Sequence, residues 1–120
     1  MGIKVKTKGH FKNTEQFLET NSKSIYTEDQ IYQIADVGLE LFSKNTPSSS
    51  GKTANSWTYE IIKKNGQYSI IYHNTNIQNG YNVAILVDEG HATSSGKRIP
   101  GTHYIDHTIK EIFNYINNLQ

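Results

Sequence analysis

The sequence predicts an α+β fold, with a long central helix and a C-terminal helix packed on a small, mainly antiparallel sheet that includes a β-hairpin. Three observations lead to this prediction. Residues 28–45 repeat apolar side chains at three- and four-residue spacing, and residues 104–118 do so again. Between them, two runs rich in aromatic and β-branched residues flank Asn65-Gly66, a dipeptide typical of two-residue hairpin turns.

The central helix has clear signals at both ends. Thr27 is the expected N-cap, and Gln30 three residues later completes a capping box. Glu28 and Asp29 place negative charge in the first turn, where the helix dipole favours it. Pro47 cannot continue the helix, so the helix is expected to stop near residue 45. Its apolar stripe consists of Ile31, Ile34, Ala35, Gly38, Leu41 and Phe42.

Before this helix the signals are weaker. Residues 3–8 alternate aliphatic or threonine side chains with lysines, which predicts a short strand, and the lysines favour an edge position. Residues 11–21 are predicted to form a brief helix with Phe17 and Leu18 pointing inward.

After the helix, residues 46–55 are small and polar and are expected to form an exposed, mobile loop. Strands are predicted over residues 57–64 and 67–73. Residues 82–89 fit a buried strand or a short helix equally well, because periodicity cannot decide over so few residues. Residues 90–101 are expected to form a second loop before the last helix.

Composition limits the protein class. At 120 residues the chain is expected to be one domain, and 35% apolar residues is a low fraction, so assembly could add stability. Lys+Arg 12 against Asp+Glu 11 gives no global electrostatic attraction for nucleic acid. The chain has no apolar run of membrane-spanning length and no apolar region of the signal-peptide kind. The absence of cysteine excludes disulfides and thiolate metal sites, as fits a reducing cytosol.

Two sets of residues resemble chemical motifs. Ser50-Gly51-Lys52-Thr53 matches the end of a phosphate-binding P-loop, but Thr46 stands where the first glycine belongs and no helix is expected afterwards. A flexible polar loop is therefore the simpler interpretation. His91, His103 and His107 could bind zinc, since His103 and His107 are four residues apart at a helix start. The glutamate of the metalloprotease motif is missing, and surface histidines explain the pattern as well.

The basic pair Lys97-Arg98 could touch phosphate together with the lysines of the first strand. A solvated basic loop is the alternative. The residues by themselves assign no catalytic, cofactor-binding or metal-binding role.

Residues 47–57 resemble the P-x-x-S/T-G-x-L-x-x-S stretch, followed by an aromatic or aliphatic residue, of tailed-phage neck proteins. These are the small head–tail joining or tail-completion proteins, also described as minor capsid proteins. In that family the stretch links the long helix to the first strand of a hairpin. Residues 81–91 are similar to the family's Y-A-x-x-V-E-x-G-T/H signature, and residues 99–105 to the start of its last helix. Thr53 replaces the usual leucine, and Asp88-Glu89-Gly90 shifts the acidic pattern.

The resemblance implies a non-enzymatic structural protein without a cofactor. Its copies are expected to form a ring, hexameric in the family, between the head connector and the tail proteins. Such a protein would reside in the virion, and in the host cytoplasm during assembly, with non-specific contact to DNA passing through the channel and no contact with membrane. The expected contact residues lie in the two loops: Ser50, Gly51, Lys52, Thr53, His91, Lys97 and Arg98.

Two other functions are compatible with the residues. A small metal-dependent hydrolase would use His91, His103 and His107. A nucleic-acid-binding module would use the lysine-rich first strand with Lys97-Arg98, and its DNA affinity would fall steeply with salt. The two loops could also be ordinary surface loops.

Overall fold

A computed structural model describes residues 2–8, 15–19, 26–48 and 51–119. It contains strands and helices in mixed order, as the sequence predicts for an α+β protein. The elements are β1 (Gly2–Thr7), β2 (Glu15–Glu19), α1 (Glu28–Asn45), β3 (Trp57–Lys64), β4 (Gln67–Asn74), β5 (Ile77–Gln78), β6 (Tyr81–Asn82), α2 (Val83–Glu89), β7 (Gly90–Ala92), β8 (Arg98–Pro100) and α3 (Tyr104–Asn118).

Helix α1 begins and ends as predicted. The Gln30 backbone N–H donates to Thr27 Oγ1 at 3.2 Å, and the Thr27 N–H donates to Gln30 Oε1 at 2.9 Å, which completes the capping box. At the other end the Thr46 N–H still reaches Phe42 O at 3.1 Å, and Thr46 itself has extended backbone. The predicted stripe faces the interior, with Leu41 only partly buried.

The main sheet has four strands in the order β2-β1-β4-β3. Strand β1 is therefore internal, and the prediction of an edge position is wrong. It pairs antiparallel with β2 and parallel with β4, where Ile3 lies beside Tyr68. The alternation separates the two faces of the sheet: Ile3 and Val5 are buried, while Lys4 and Lys6 are half-buried on the other face. The lysines mark that second face rather than an edge.

The prediction of a helix over residues 11–21 is also wrong for the part that is described. Residues 15–19 form strand β2, paired with β1 from Gly2 opposite Glu19 to Lys6 opposite Glu15. Pairing with β1 decides the conformation here, because no capping signal favours a helix. The remainder of the predicted helix lies outside the described residues.

The β3–β4 hairpin is confirmed. Asn65 and Gly66 both have positive φ, 53° and 76°, as a type I′ turn requires. Strand β4 extends one residue beyond the predicted end, to Asn74. The pairing places Tyr59 opposite Tyr72 on the face that carries the core.

The core lies between this sheet face and the helices α1 and α3. The Phe42 ring packs 4.6 Å from the Trp57 ring and 4.8 Å from the Tyr72 ring, centroid to centroid. Tyr72 is fully buried, and its hydroxyl donates to Ala35 O at 2.8 Å. Gly38 makes this possible, because a Cβ there would lie 2.0 Å from Tyr72 Oη. The pattern of α1 thus includes a glycine for packing rather than for flexibility.

The C-terminal third resolves the open alternative at residues 82–89 in favour of a helix, α2. Residues 90–101 are not one irregular loop as expected, because β7 and β8 pair there as a short antiparallel ribbon with His91 opposite Ile99. Helix α3 matches the predicted range, and its buried face packs on α1. None of the helices in the described ranges is long and apolar enough to cross a lipid bilayer.

Candidate partner-binding site

In the described part of the loop after α1, Thr53 is held by buried side chains, whereas an exposed, mobile loop is expected from the sequence over residues 46–55. Asn74 Nδ2 donates to the Thr53 carbonyl oxygen at 2.8 Å, and Asn76 Nδ2 donates to Thr53 Oγ1 at 2.9 Å. The Asn76 N–H in turn donates to Asn74 Oδ1 at 2.9 Å. All three residues are buried. Thr53 is thus bonded through both its backbone carbonyl oxygen and its side-chain hydroxyl.

The beginning of this loop is fixed by a second buried hydroxyl. Thr46 is 6% exposed, and its Oγ1 accepts the indole N–H of Trp57 at 2.8 Å while it donates to Phe42 O. The hydroxyl therefore joins the end of α1 to the start of β3. Because a buried indole N–H without a partner is unfavourable, this bond constrains how the chain passes from helix to sheet.

The P-loop-like residues have no phosphate-binding geometry around them. Ser50 lies outside the described residues, Gly51 has a φ of 77°, and the exposed Lys52 sits in a tight turn. Strand β3 follows the turn, whereas a P-loop leads into a helix whose N-terminus faces the phosphate. Of the described residues in this set, Thr53 is buried and Lys52 is exposed.

The loop and helix α2 border one open cleft of about 270 Å³. The lining combines polar and aliphatic side chains from both of the sequence stretches that resemble the neck family. The lining residues are Pro47, Ser48, Lys52, Thr53, Asn76, Gln78, Val83 and Val87. Two segments that are far apart in sequence therefore share a single surface.

Asp88 caps helix α3, a structural role that no pattern in the sequence indicates. Its Oδ1 accepts the Ile105 N–H at 2.9 Å, and its backbone oxygen accepts the His103 N–H at 3.0 Å. His103, the N-cap of α3, has left-handed backbone (φ 55°) and makes no side-chain cap. Asp88 thus caps α3 from outside that helix. A usual cap signal is missing at residue 103, so only the three-dimensional arrangement identifies the capping group.

Glycine is required on both sides of the open end of the β7–β8 ribbon, where Gly90 begins β7 and Gly101 follows β8. A Cβ on Gly101 would lie 2.2 Å from the Asp88 carbonyl oxygen, and a Cβ on Gly90 would lie 2.6 Å from the Gly101 nitrogen. Gly90 also has a φ of 85°. The two backbones can approach only because neither residue has a side chain, and this approach fixes the ribbon against the end of α2.

The ribbon places the other predicted contact residues. His91 is half-buried, and within the described ranges its buried Nδ1 has no hydrogen-bond partner. Lys97 is exposed at the turn, where its N–H and carbonyl both bond to Thr93. Arg98 is exposed, with one contact of 3.3 Å from Nη2 to the Glu89 carbonyl oxygen. Lys97 and Arg98 therefore provide positive charge on the surface of the ribbon.

In the part of the chain that the structure describes, His91, His103 and His107 are not brought together as a metal site. His107 is 71% exposed, and its Nε2 lies 3.3 Å from Glu111 Oε1, one turn further along α3. Among the residues that the structure describes, no three histidine or acidic side chains are grouped so that they could hold one metal ion.

Exposed apolar side chains lie on the two ribbons that flank α2 in the chain. Tyr81 is 60% exposed and Ile77 is 54% exposed on the β5–β6 ribbon, and Ile99 is 39% exposed on β8. No element is predicted from the sequence for residues 74–81, so the β5–β6 ribbon is not among the expected elements. Its signal was Asn79-Gly80, a second Asn-Gly turn with positive φ at both residues.

Tyr104 connects this region to the core. Its hydroxyl donates to Ala84 O at 2.8 Å. Burial raises the pKa of this hydroxyl above its ordinary value; the Thr46 hydroxyl partly offsets this effect, and the Asp88 charge adds to it.

The chain was also compared with known proteins. No family model, no curated protein and no solved structure matches it.

Proposed function

We propose that this chain is a structural subunit of a tailed-phage neck, which forms a ring, hexameric as in the family it resembles, between the head connector and the tail. One observation carries the proposal: two stretches that resemble the neck family, residues 47–57 and 81–91, line the same cleft, the second of them through Val83 and Val87 of α2. A resemblance spread over distant parts of a chain is more informative when the parts form one surface.

The surface chemistry around α2 supports a protein partner. Ile77 and Tyr81 on the β5–β6 ribbon and Ile99 on β8 expose apolar area, and Ile99 directly follows the basic pair Lys97-Arg98. Aromatic and aliphatic groups bordered by charge are typical of protein contact surfaces. In the proposed ring these residues contact a neighbouring copy or the connector, and the role requires no catalysis and no cofactor.

DNA contact in this proposal is limited to non-specific attraction. Lys97 and Arg98 are exposed on a ribbon, so they can approach the phosphates of DNA that passes through a channel. Such contacts carry no sequence information and weaken with salt.

The assay is light scattering on the purified protein over a range of concentrations, alone and with purified phage connector. The expected result is a closed ring, either in solution or only on the connector. A protein that forms no ring with the connector present, and that is missing from purified virions, contradicts the proposal.

A paired substitution tests the surface itself. The double variant Ile77→Ser/Tyr81→Ser is expected to lose connector-bound assembly and to keep its circular dichroism spectrum, because both side chains are more than half exposed. Tyr32→Ser is the matched control, since Tyr32 is 47% exposed on α1, away from the ribbons in the chain. Equal loss in both variants would mean that the ribbons have no special role.

A further inference from the structure

Strand β3 lies at one edge of the main sheet, and part of its backbone has no partner among the described residues. In a two-residue hairpin the residues next to the turn, here Lys64 and Gln67, form a hydrogen-bonded pair. The groups that bond to β4 therefore belong to the even-numbered residues of β3, and the Ser56 carbonyl, which accepts the Thr75 N–H, continues this series. The odd-numbered residues direct their N–H and C=O groups away from the sheet. No backbone partner for them occurs in the described part of the chain.

The side chains at the end of this strand do not fully prevent the edge from pairing with a strand of another molecule. Glu60, Ile62 and Lys64 are exposed on the face opposite the core, with Ile62 at 46%, and β3 contains no proline. Four residues of extended strand separate the Glu60 and Lys64 Cα atoms by about 13 Å, so this carboxylate and ammonium cannot pair within one strand. Neither has an ion-pair partner among the described residues.

We propose that β3 pairs with β3 of a second copy, antiparallel across a two-fold axis, with Ile62 opposite Ile62 of the other copy. This register puts Glu60 of each copy opposite Lys64 of the other, which gives two ion pairs around an apolar centre. It also places Ile61 opposite Lys63, both of which have outward-directed backbone groups, so about four backbone hydrogen bonds form between the copies. The sequence of β3 is thus complementary to itself.

Neighbouring registers are less favourable. A two-fold axis at Ile61 would put Glu60 opposite Ile62, and an axis at Glu60 would put two carboxylates opposite each other. An axis at Lys63 would bring two ammonium groups together. Only the register centred on Ile62 places Glu60 and Lys64 each opposite a side chain of opposite charge.

The proposed contact between two copies is small, and its two-fold symmetry limits it to a dimer. One paired strand buries less than the roughly 800 Å² per partner of a standard interface, so a concentration-dependent dimer is expected rather than a permanent one. A two-fold contact uses one surface twice and cannot repeat around a ring. The inference is therefore separate from the proposed neck role and concerns how free copies associate.

The first test is oxidative cross-linking, for which a chain without native cysteine is well suited. Facing residues of a non-hydrogen-bonded antiparallel pair have Cα atoms about 4.5 Å apart, within the range that disulfides span. Ile62→Cys is expected to give a covalent dimer of twice 13.6 kDa. Tyr32→Cys, at almost equal exposure, is expected to stay monomeric. No dimer from Ile62→Cys, or equal yields from both, overturns the inference.

The second test is a charge exchange in the chain without added cysteine. Glu60→Lys and Lys64→Glu each bring like charges together twice and are expected to raise the dimer dissociation constant at least about tenfold. The double variant Glu60→Lys/Lys64→Glu is expected to restore it. Analytical ultracentrifugation measures the constant, and circular dichroism checks the fold. Absence of restoration contradicts the register, whereas connector binding is unaffected by this result and tests only the neck role.

Discussion

Asn74 is the residue whose removal should reveal how firmly the loop after α1 is held. Its side chain is 3% exposed, and it donates to the Thr53 carbonyl and accepts the Asn76 N–H. Asn74→Ala leaves two buried backbone groups without partners, each costing about 1–3 kcal/mol. Allowing for water that enters the space, we expect a loss of about 2–4 kcal/mol in the free energy of unfolding. That is a large share of the roughly 5–15 kcal/mol available to a domain.

Two assays measure the effect. Urea denaturation gives the change in unfolding free energy, and limited trypsin digestion reports the opening of the loop at Lys52, an exposed lysine in its tight turn. In Asn74→Ala the fragment that ends at residue 52 should appear at least about tenfold faster, because cleavage follows the population of the open state. Asn114→Ala, an exposed change on α3, is the matched control and should change the unfolding free energy by less than about 0.5 kcal/mol. An Asn74→Ala protein that resists urea and trypsin as the parent does would refute this account of the loop.

Three further perturbations test the core. Thr46→Val should destabilise by about 1–3 kcal/mol in urea, because the Trp57 indole N–H loses its acceptor, whereas Thr46→Ser should retain most of the stability; equal losses would contradict this reason. Gly38→Ala should lower the melting temperature although alanine favours helices, since its Cβ would overlap Tyr72 Oη; an increase would refute the packing argument. Burial and the hydrogen bond to Asp36 raise the pKa of Tyr59 to about 12, and burial raises that of Tyr72. The unfolded chain therefore releases these protons first, so the urea midpoint should fall as pH rises above 10, and less in Tyr59→Phe; a midpoint that stays constant would contradict the assignment.

Local signals explain what the sequence predicted well. The capping box of α1 and the Asn65-Gly66 turn each depend on residues within a few positions of one another, so their physics is visible in a short window. The fold class followed from them. The internal position of β1 and the strand conformation of β2 depend on pairing with distant residues, and lysine alternation describes a face of the sheet as well as an edge.

The candidate site was harder to predict for a related reason. Thr53, Asn74 and Asn76 have the composition of solvated turns, and no sequence pattern distinguishes a polar side chain bonded to water from one buried in a network. Asp88 caps a helix that begins 16 residues later, at a residue with left-handed backbone that is a poor cap by type. Its role depends on the packing of α2 against the start of α3.

The parallel pairing of β1 with β4 has a consequence for biosynthesis. Ile3 lies beside Tyr68, so β1 has to wait for about 65 further residues before its parallel partner exists. At translation rates of about 5–20 residues per second this delay is about 3–13 s. During this delay Ile3 and Val5 lack β4 as a neighbouring strand. Helix α1, in contrast, can already form from its own capping signals. The four-stranded sheet is thus completed late, and β1 is fully paired only after β4 has been synthesised.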